Sequence, residues 1–303
     1  MRFSLALATL PVALVTASPA GKRCTGNISS LNDIAAAEKC TTINISSFTV
    51  PLGKTFAISA PNGATINLLG DVKFGVANWG GPLFSMSGKD LDGKGAKTGV
   101  TKPHPMMWIQ MSGTYSNVNN PAKLVVSKLT IDNYNKSGGQ SAAHNTDGFD
   151  VATNDLTIEG STIQNQDDCL AINRGSNIIF QRNSCTGGHG ISIGSASTDS
   201  TVTNIQILNN KVINNDQALR IKTKADVTNA SVRNIVYKGN TATGIRRFGV
   251  IVEQSYPSTL GTPGNNAGIT FGANDIAVAQ RVVVDCGSKC TGTWDWSGLT
   301  QRN

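Results

Sequence analysis

Short apolar segments alternate with polar turns through most of the chain, and from residue 123 onward they come in pairs. The pairs begin at Lys123, Asp155, Asn177, Asn204 and Asn234, at intervals of 22 to 32 residues. The first three read LVVSKLTI with DGFDVAT, DLTIEGSTI with CLAIN, and NIIFQRNSC with GISIGS. The last two read NIQILNNKVI with ALRIKT, and NIVYKGNT with GVIVEQ. Segments of this length, bounded by Asn, Gly, Asp and Ser, predict a series of β-strands.

The repeat predicts how these strands are arranged. No convincing amphipathic helix separates them, so they are not βαβ units. Each unit has one hydrophobic side that it cannot bury alone, which favours a stacked solenoid. We therefore expect a single all-β domain, a right-handed parallel β-helix with Asn and Gly at its corners. One short helix over Ser29–Lys39 (SSLNDIAAAEK) would close the N-terminal end and protect its edge strands.

Placing the coils in register brings polar residues together. The second strands align on their first apolar residues, which are Phe149, Leu170, Ile191, Leu219 and Val250. Two positions earlier stand Asp147, Asp168, His189, Gln217 and Phe248. Equivalent positions of successive coils lie about 4.8 Å apart. We therefore expect a ladder of Asp147, Asp168 and His189, with Asp167 beside it.

Arg220 and Lys222 would point to the same side, one coil further along. Taken singly, such residues are more often turn residues or a solvated face. Taken together they indicate a functional site, because stacked carboxylates are electrostatically costly and raise at least one pKa. Close carboxylates with separated pKa values are what acid/base hydrolysis of a glycosidic bond requires.

The amino-acid composition and net charge exclude several classes of protein and some kinds of partner. The chain is 39% hydrophobic, 6% aromatic and 15% charged, and its 32 glycines show no Gly-X-Y period. These values argue against a disordered polyelectrolyte and against collagen. The net charge is +7 for the whole chain and +4 without residues 1–23, which carry three basic residues and no acidic one. Without a Lys/Arg run we expect no nucleic-acid partner, although an acidic polymer would be attracted weakly.

The N-terminus has the organisation of a secretory signal. A basic start precedes an apolar run from Phe3 to Val15, small residues follow, and the dibasic pair Lys22-Arg23 comes next. The apolar run is shorter than a membrane-spanning helix requires. We therefore predict a signal peptide and propeptide over 1–23, a mature catalytic domain over 24–303, and a secreted, extracellular protein without a membrane anchor.

Secretion favours disulfides between the cysteines. The chain contains six, at Cys24, Cys40, Cys169, Cys185, Cys286 and Cys290. Six cysteines allow 15 pairings, of which the pairing of sequence neighbours is the most economical. A zinc site is the alternative, but no CxxC pair exists. A bond between Cys24 and Cys40 would clamp the capping helix. It would close a loop of about 15 residues and so stabilise the fold by about 3 kcal/mol. Four sequons fit an exported glycoprotein, at Asn27, Asn44, Asn135 and Asn229.

Four segments resemble the motifs of a known enzyme family. They are Asn145-Thr146-Asp147, Gln166-Asp167-Asp168-Cys169, Gly188-His189-Gly190 and Arg220-Ile221-Lys222. In order and spacing they are similar to the motifs of the polygalacturonases, glycoside hydrolase family 28, over Cys24 to Trp296. The longer strings NTDGFD, NQDDCLAIN, GGHGISIGS and RIKT are most like those of fungal endo-acting members. The resemblance implies a right-handed parallel β-helix that hydrolyses α-1,4-linked galacturonan, the backbone of pectin, with inversion and without a metal or other cofactor.

The resemblance also implies catalytic roles. Asp167 would be the general acid that protonates the leaving oxygen. Asp147 and Asp168 would hold and activate the attacking water. His189 would tune the protonation of the acid through a hydrogen bond.

Binding roles and partners follow from the same resemblance. Arg220 and Lys222 would grip a galacturonate carboxylate, which suits a fork-shaped donor and a point charge. Tyr256 would line the cleft. Polygalacturonate or pectin would be the substrate, a leucine-rich-repeat plant inhibitor protein a possible partner, and the enzyme a monomer.

The chain departs from the family pattern in two shortened stretches. One runs from Gly81-Pro82-Leu83-Phe84 to the NTD motif, and the other from Gly268 to Cys286. The shortened stretches leave open a cleft that no longer catalyses, and four alternatives to endo action are to be tested in all. They are an exo-polygalacturonase, a rhamnogalacturonan hydrolase, a non-catalytic pectin-binding β-helix and a calcium-dependent lyase.

Overall fold

The structure is a computed structural model, and it describes residues 22–75, 82–87, 92–95, 97–99, 109–112, 124–132, 145–263, 282–287 and 290. In these ranges the backbone forms 25 β-strands and two very short helices. Strands pair in parallel with strands one coil away. The chain therefore winds as the all-β parallel β-helix that the repeat predicts. No described helix is long and apolar enough to cross a membrane.

Each coil contributes strands to three faces of the solenoid. The first sheet consists of Lys22–Ile28, Cys40–Ile45, Thr65–Leu68, Asp92–Gly95, Leu124–Ser127, Leu156–Glu159, the C-terminal part of Asp168–Gln181, Thr201–Leu208 and Ser231–Lys238. The second sheet consists of Phe56–Ser59, Phe84–Ser87, Ile109–Ser112, Phe149–Ala152, the N-terminal part of Asp168–Gln181, Gly190–Ala196, Gln217–Lys224, Phe248–Tyr256 and Val282–Asp285. The third sheet consists of Lys97–Gly99, Thr130–Asp132, Thr162–Gln164, Ser184–Thr186, Lys211–Ile213 and Thr241–Thr243. Phe48–Val50 and Val72–Phe74 form a separate pair.

The second sheet has the register expected from its apolar residues. Phe149 pairs with Leu170, Leu170 with Ile191, Ile191 with Leu219, and Leu219 with Val250. All five side chains are buried and point into the solenoid. The residues between them along each strand therefore face outward, which places the polar motif residues on one outer surface.

The sequence pattern did not distinguish the third sheet from the first. Each segment that reads as a single first strand, such as DLTIEGSTI, bends at a corner and supplies strands to two sheets. The corner residues share a positive φ, and they are Lys128 (58°), Gly160 (62°), Arg182 (56°), Asn209 (54°) and Gly239 (67°). A polar or glycine residue in the left-handed region turns the chain without ending the apolar run.

A ladder of buried asparagines supports another corner column. Asn183 Oδ1 accepts from Ser161 N (2.8 Å), Asn210 Oδ1 from Asn183 N (2.9 Å), and Asn240 Oδ1 from Asn210 N (3.0 Å). The amide nitrogens of the three asparagines donate to backbone carbonyls of the preceding coils. These bonds satisfy backbone groups that a buried turn would otherwise leave unpaired. They give a structural reason for the many asparagines of the sequence.

The N-terminal cap is shorter than the helix expected over Ser29–Lys39. Only a 3₁₀ turn, Leu31–Asp33, and an α-helix, Ile34–Ala37, form there. Ser29 and Ser30 lie outside them because Asp33 Oδ2 accepts from Ser29 N (2.8 Å) and from both serine hydroxyls. A Cβ on Gly26 would lie 2.5 Å from Ala37 Cα, so the short helix packs directly on the first strand.

Three disulfides join the cysteines that are neighbours in sequence. They link Cys24 to Cys40, Cys169 to Cys185, and Cys286 to Cys290. The most economical pairing is therefore the one present. The first bond ties the initial strand to the second across the cap, and the second bond is fully buried.

The stretch before the NTD motif keeps the stack continuous. Phe84 pairs with Ile109 and Ile109 with Phe149, while Val125 pairs with both Asp92 and Thr157. The described strands of this stretch therefore pair with one another without a gap. Residues 1–21, Asn135 and most of the second shortened stretch lie outside the described residues.

Candidate active site

The acidic residues lie where the strands of the second sheet begin. Gly148 N donates to Asp168 O (2.9 Å), and His189 N donates to Asp167 O (2.8 Å). A Cβ on Gly188 would lie 2.0 Å from Asp167 O. The glycines of the motifs thus allow adjacent coils to approach closely and hold the acidic residues in place.

The expected ladder is wrong in one respect. Asp168 pairs with Gly190, while Leu170 pairs with Ile191. Cys169 is therefore an extra residue on its strand, a β-bulge that shifts the register by one. Because of this shift His189 faces Asp167 and not Asp168.

Asp167 is held as a carboxylate by three donors. Its Oδ2 accepts from Asn145 N (2.7 Å), and its Oδ1 accepts from Asp168 N (2.8 Å) and lies 3.0 Å from His189 Nδ1. Burial opposes ionisation, but the His189 hydrogen bond and charge, together with the Asn145 amide, lower the pKa of Asp167 to about 2. Between the lowered pKa of Asp167 and pH 6.5, the free protein therefore keeps Asp167 ionised beside a protonated His189.

His189 carries the complementary shift. Burial lowers its pKa, but the hydrogen bond to Asp167 and the charges of Asp167, Asp168 and Asp216 outweigh burial, so its pKa is raised above 6.5. His189 and Asp167 therefore share one proton over a pH range that extends above 6.5.

Asp168 is the most enclosed of the three aspartates. It is 2% exposed. Its Oδ1 accepts from Ser192 Oγ (2.7 Å) and its Oδ2 from Lys222 Nζ (2.6 Å). Both oxygens are thus fixed by partners from the next two coils, which orients the carboxylate.

Asp147 has the opposite electrostatic environment. Burial, followed by the negative charges of Asp167 and Asp168, raises its pKa well above 3.8. Its side chain is partly exposed on the outer face. The cluster therefore contains one carboxyl with a strongly lowered pKa and one with a strongly raised pKa, as acid/base catalysis requires.

Two charged residues that the sequence did not single out complete the surroundings of His189. Asp216 Oδ2 lies 3.9 Å from His189 Nε2, and Asp216 Oδ1 accepts from Arg246 Nε (2.7 Å). Arg246 Nη2 also donates to Gly188 O (3.3 Å). The sequence does contain a signal for Asp216. It lies three residues before Leu219, just as Asp167 lies three residues before Leu170 in the preceding part of the same sheet.

Arg220, Lys222 and Tyr256 lie close together on the second sheet. The Arg220 guanidinium lies 5.5 Å, and Lys222 Nζ 5.0 Å, from the centre of the Tyr256 ring. Both cations also have acidic partners, Asp168 for Lys222 and Glu253 for Arg220. Burial lowers the pKa of Lys222, but the charge of Asp168, its hydrogen bond to Lys222 and the nearby Tyr256 together outweigh burial and raise the pKa, so Lys222 is charged.

Three of these side chains have the spacing of a metal site. Donor atoms of Asp167, Asp168 and His189 lie within 4.8 Å of one another. Lys222 already places a positive charge 2.6 Å from Asp168 Oδ2, and the raised pKa of His189 favours its protonated form, which cannot bind a metal. These residues therefore fit an acid/base site better than a metal centre.

Three sequons lie in the described chain. Asn27 and Asn229 are exposed. Asn229 Nδ2, the atom that would carry a glycan, donates to Asp199 Oδ1 (2.8 Å). Asn44 is partly buried, and its Oδ1 accepts from Asn67 Nδ2 (2.9 Å). Asn27 is therefore the sequon with the freest side chain among these three.

Carboxyls with separated pKa values, a histidine that shares a proton and two buried cations lie together on the outer face of a parallel β-helix. Two carboxyls with different roles are typical of glycoside hydrolases. Residues 109–301 match the model of the family described as Glycosyl hydrolases family 28. The chain belongs to this family.

Named relatives cover nearly the whole chain. It is 35% identical to Endopolygalacturonase I of Aspergillus aculeatus, with 94% of this chain and 87% of that protein covered. It is 37% identical to Endopolygalacturonase B of Emericella nidulans, with 98% and 93% covered. That alignment spans 345 positions, more than the 303 residues of this chain, so the shortening relative to this enzyme is internal.

Solved structures give the same fold. Endopolygalacturonase I from Stereum purpureum, complexed with two galacturonate, superposes with a TM-score of 0.71 at 37% identity, with 92% of this chain and 94% of that chain covered. An endo-xylogalacturonan hydrolase from Aspergillus tubingensis, at 19% identity and a TM-score of 0.62, supports the fold alone.

Proposed function

We propose that this protein is an endo-polygalacturonase that hydrolyses α-1,4-galacturonosyl linkages in pectin or polygalacturonate with inversion. The observation that carries the proposal is the Asp167–His189 hydrogen bond of 3.0 Å within a cluster of three aspartates. The relatives named endopolygalacturonases, and the solved relative with galacturonate bound, support this substrate class.

Asp167 and His189 together supply the proton for the leaving group. The pair holds one proton below the raised pKa of His189, and that proton resides on the imidazole in the free protein. As the glycosidic C–O bond breaks, the leaving oxygen becomes basic. His189 then transfers its proton to the Asp167 carboxylate through their hydrogen bond, and Asp167 passes a proton to the leaving oxygen, which leaves His189 neutral and Asp167 ionised.

Asp147 and Asp168 act on the attacking water. Asp168, fixed by Lys222 and Ser192, orients the water through its carboxylate. Asp147 accepts the proton that the water loses, and its raised pKa suits a general base. The new C–O bond forms on the face opposite the leaving group, so the anomeric configuration inverts.

Arg220, Lys222 and Tyr256 bind the sugar next to the reacting bond. The two cations lie on the outward face of one strand and share the Tyr256 ring. Their positive charge would attract the carboxylate of a galacturonate unit. The ring offers an apolar surface for the sugar.

We further propose how the protein is processed, where it acts and what it binds. Residues 1–23 are removed as signal peptide and propeptide, and residues 24–303 form one extracellular catalytic domain that acts as a monomer. Arg23 is exposed near the start of the first strand, which supports cleavage after this residue before the strand pairs. A leucine-rich-repeat plant inhibitor protein is the proposed partner. Mass spectrometry of the secreted protein gives its N-terminus and identifies the glycosylated sequons among Asn27, Asn44, Asn135 and Asn229.

One assay tests the catalytic proposal. The purified protein is given polygalacturonate, and reducing ends and viscosity are followed together. An endo-acting enzyme lowers the viscosity early, and Asp167→Asn abolishes both signals. Asp155→Asn is the matched control, because Asp155 occupies a left-handed corner next to Asn177, where asparagine is well tolerated.

The same assay separates the alternatives. Release of monomer at nearly constant viscosity would identify an exo-acting enzyme. Binding of oligogalacturonate without turnover would identify a non-catalytic β-helix. Turnover of rhamnogalacturonan alone would identify a rhamnogalacturonan hydrolase. Unsaturated products that disappear with a chelator would identify a calcium-dependent lyase.

A further inference from the structure

The Cys169–Cys185 disulfide lies next to the proposed acid and its histidine, and it has no role in the mechanism above. Cys169 directly follows Asp167 and Asp168, and Cys185 lies four residues before His189. The bond therefore joins the two coils that carry the Asp167–His189 pair. Both cysteine side chains are 0% exposed and belong to the hydrophobic core. The crosslink thus lies inside the solenoid, whereas the pair lies on its outer face.

The β-bulge at Cys169 allows this residue to reach its partner. Successive side chains of a regular strand point to opposite faces. Cys169 and Leu170 are consecutive, yet both are 0% exposed and both belong to the core. Cys185 is the buried residue between two half-buried ones, Ser184 and Thr186, so it points into the solenoid. A bond to Cys185 therefore requires an inward-facing Cys169, which the extra residue of the bulge supplies.

The same bulge sets the contacts of the aspartates on the outer face. In a regular strand that keeps Leu170 inward, Asp168 would also point inward. The extra residue turns Asp168 outward, where its Oδ2 accepts from Lys222 Nζ (2.6 Å). It also leaves His189 facing Asp167, with Nδ1 of the histidine 3.0 Å from Oδ1 of the aspartate. One extra residue therefore determines both which face Asp168 occupies and which aspartate contacts His189.

We propose that Cys169 and Cys185 are positioning residues for the reaction, because their disulfide fixes the bulge that aligns Asp167 with His189. On the outer face the bulge is held only by hydrogen bonds and ion pairs, whereas on the inner face it is held by a covalent bond. Without the disulfide, Cys169 is free to leave the core, and Asp167 then moves relative to His189. This inference rests on the proposed function and concerns the same site.

The protonation of His189 reports on this alignment. Burial lowers the pKa of His189, and the hydrogen bond to Asp167 is the largest of the effects that raise it above 6.5. A longer Asp167–His189 contact therefore lowers the pKa of His189 and moves the alkaline limb of kcat/KM to lower pH. The other charged groups around the pair are Asp147, Asp168, Asp216, Lys222 and Arg246.

The test compares two double variants that each lack one disulfide, Cys169→Ala/Cys185→Ala and Cys24→Ala/Cys40→Ala. Each bond has a sequence separation of 16, so the two constrain the unfolded chain equally in the chain-entropy model. The second variant is the matched control, because its bond lies at the N-terminal cap. We expect both variants to unfold at lower urea concentration than wild type. Only the first should lower kcat on polygalacturonate, by about tenfold, and move the alkaline limb to lower pH.

A measurement without substrate separates this inference from the proposed function. The His189 imidazole is titrated by NMR in the free protein, and His189→Gln identifies its signal among the three histidines. We expect a pKa above 6.5 in wild type and in the control variant, and a lower pKa in Cys169→Ala/Cys185→Ala. If wild type releases no reducing ends, the proposed function fails, and the titration still tests the disulfide. If wild type is active and both double variants share its titration and its alkaline limb, only the role of the disulfide fails.

Partial reduction of wild type needs no variant, in case Cys169→Ala/Cys185→Ala does not fold. The protein is treated with increasing reductant at low urea concentration, and the opened cysteines are alkylated and identified by mass spectrometry. Activity is measured on the same samples. Cys24 is partly exposed, so its bond to Cys40 should open first, with activity retained. Activity should then fall as Cys169–Cys185 opens, and activity that survives this second opening would overturn the inference.

Discussion

Lys222 Nζ lies 2.6 Å from Asp168 Oδ2, and the two side chains are 8% and 2% exposed. The residues are 54 positions apart in sequence, and the strand Gly190–Ala196 lies between their strands. The bond therefore joins the proposed substrate-binding face to the carboxylate that we propose orients the attacking water. Because the pair is buried, each charge depends on the other for compensation.

Replacing Lys222 by glutamine should affect both stability and activity. Asp168 would keep a buried negative charge without its cation, which typically costs about 3–5 kcal/mol. We expect urea unfolding to show a loss of this size, together with a fall in kcat/KM of at least about a hundredfold. Lys224→Gln is the control, because Lys224 is exposed at the end of the same strand. Equal stabilities of the two variants would contradict this account of the pair.

The shared proton of Asp167 and His189 predicts the alkaline limb of the pH–rate profile. In wild type, kcat/KM should fall as pH rises through the raised pKa of His189, above 6.5. In His189→Gln, Asp167 must hold the proton alone, so the fall should occur at lower pH. The measurement is kcat/KM on polygalacturonate across pH for both proteins. Superimposable alkaline limbs would show that His189 does not control the proton.

The same pair should stabilise the fold over a defined pH window. Asp167 has a lowered pKa, so its contribution is present above 3.8 and is lost as pH falls towards about 2. His189 has a raised pKa, so its contribution is present below 6.5 and is lost as pH rises through the raised value. Wild type should therefore exceed His189→Gln by about 2 kcal/mol between those limits. Urea unfolding of both proteins inside and outside the window measures this difference, and a constant difference at every pH would contradict it.

Arg246 should act by positioning. It bonds to Asp216, which faces His189, and to the carbonyl of Gly188 next to His189. Arg246→Gln should therefore lower kcat by about tenfold and leave KM nearly unchanged, because the hydrogen bonds of Arg246 go to Asp216 and to backbone carbonyls and not to the proposed sugar-binding residues. Arg182→Gln removes an arginine–carboxylate pair, with Glu159, on another sheet and should leave both constants unchanged. An increase in KM with constant kcat would place Arg246 in substrate binding instead.

The repeat predicted the solenoid, the register of five coils and the proximity of the motif residues, because all three depend on apolar spacing. It did not show that His189 faces Asp167, since an extra residue at Cys169 shifts the register without interrupting the apolar pattern. The partners Glu253 and Ser192 were missed for another reason. Their types are common on outer strand faces, and only the stacking of distant coils makes them contacts of Arg220 and Asp168.

Gly188 provides a test of how closely the coils must approach at the site. Its Cβ would lie 2.0 Å from Asp167 O and 2.6 Å from Asn165 Oδ1, whereas no positive φ requires glycine there. Gly188→Ala should therefore displace Asp167 and lower kcat at least about a hundredfold, since small misplacements at a catalytic group have effects of this size. Gly160→Ala is the control that separates steric crowding of the added methyl group from strain in the backbone. Gly160 has φ +62°, which strains an alanine, but its Cβ would meet only Lys128 Cγ, at 3.8 Å. That variant should lose about 1 kcal/mol of stability and keep its activity. If Gly188→Ala were fully active, close approach of the coils at this position would not be needed to place the acid.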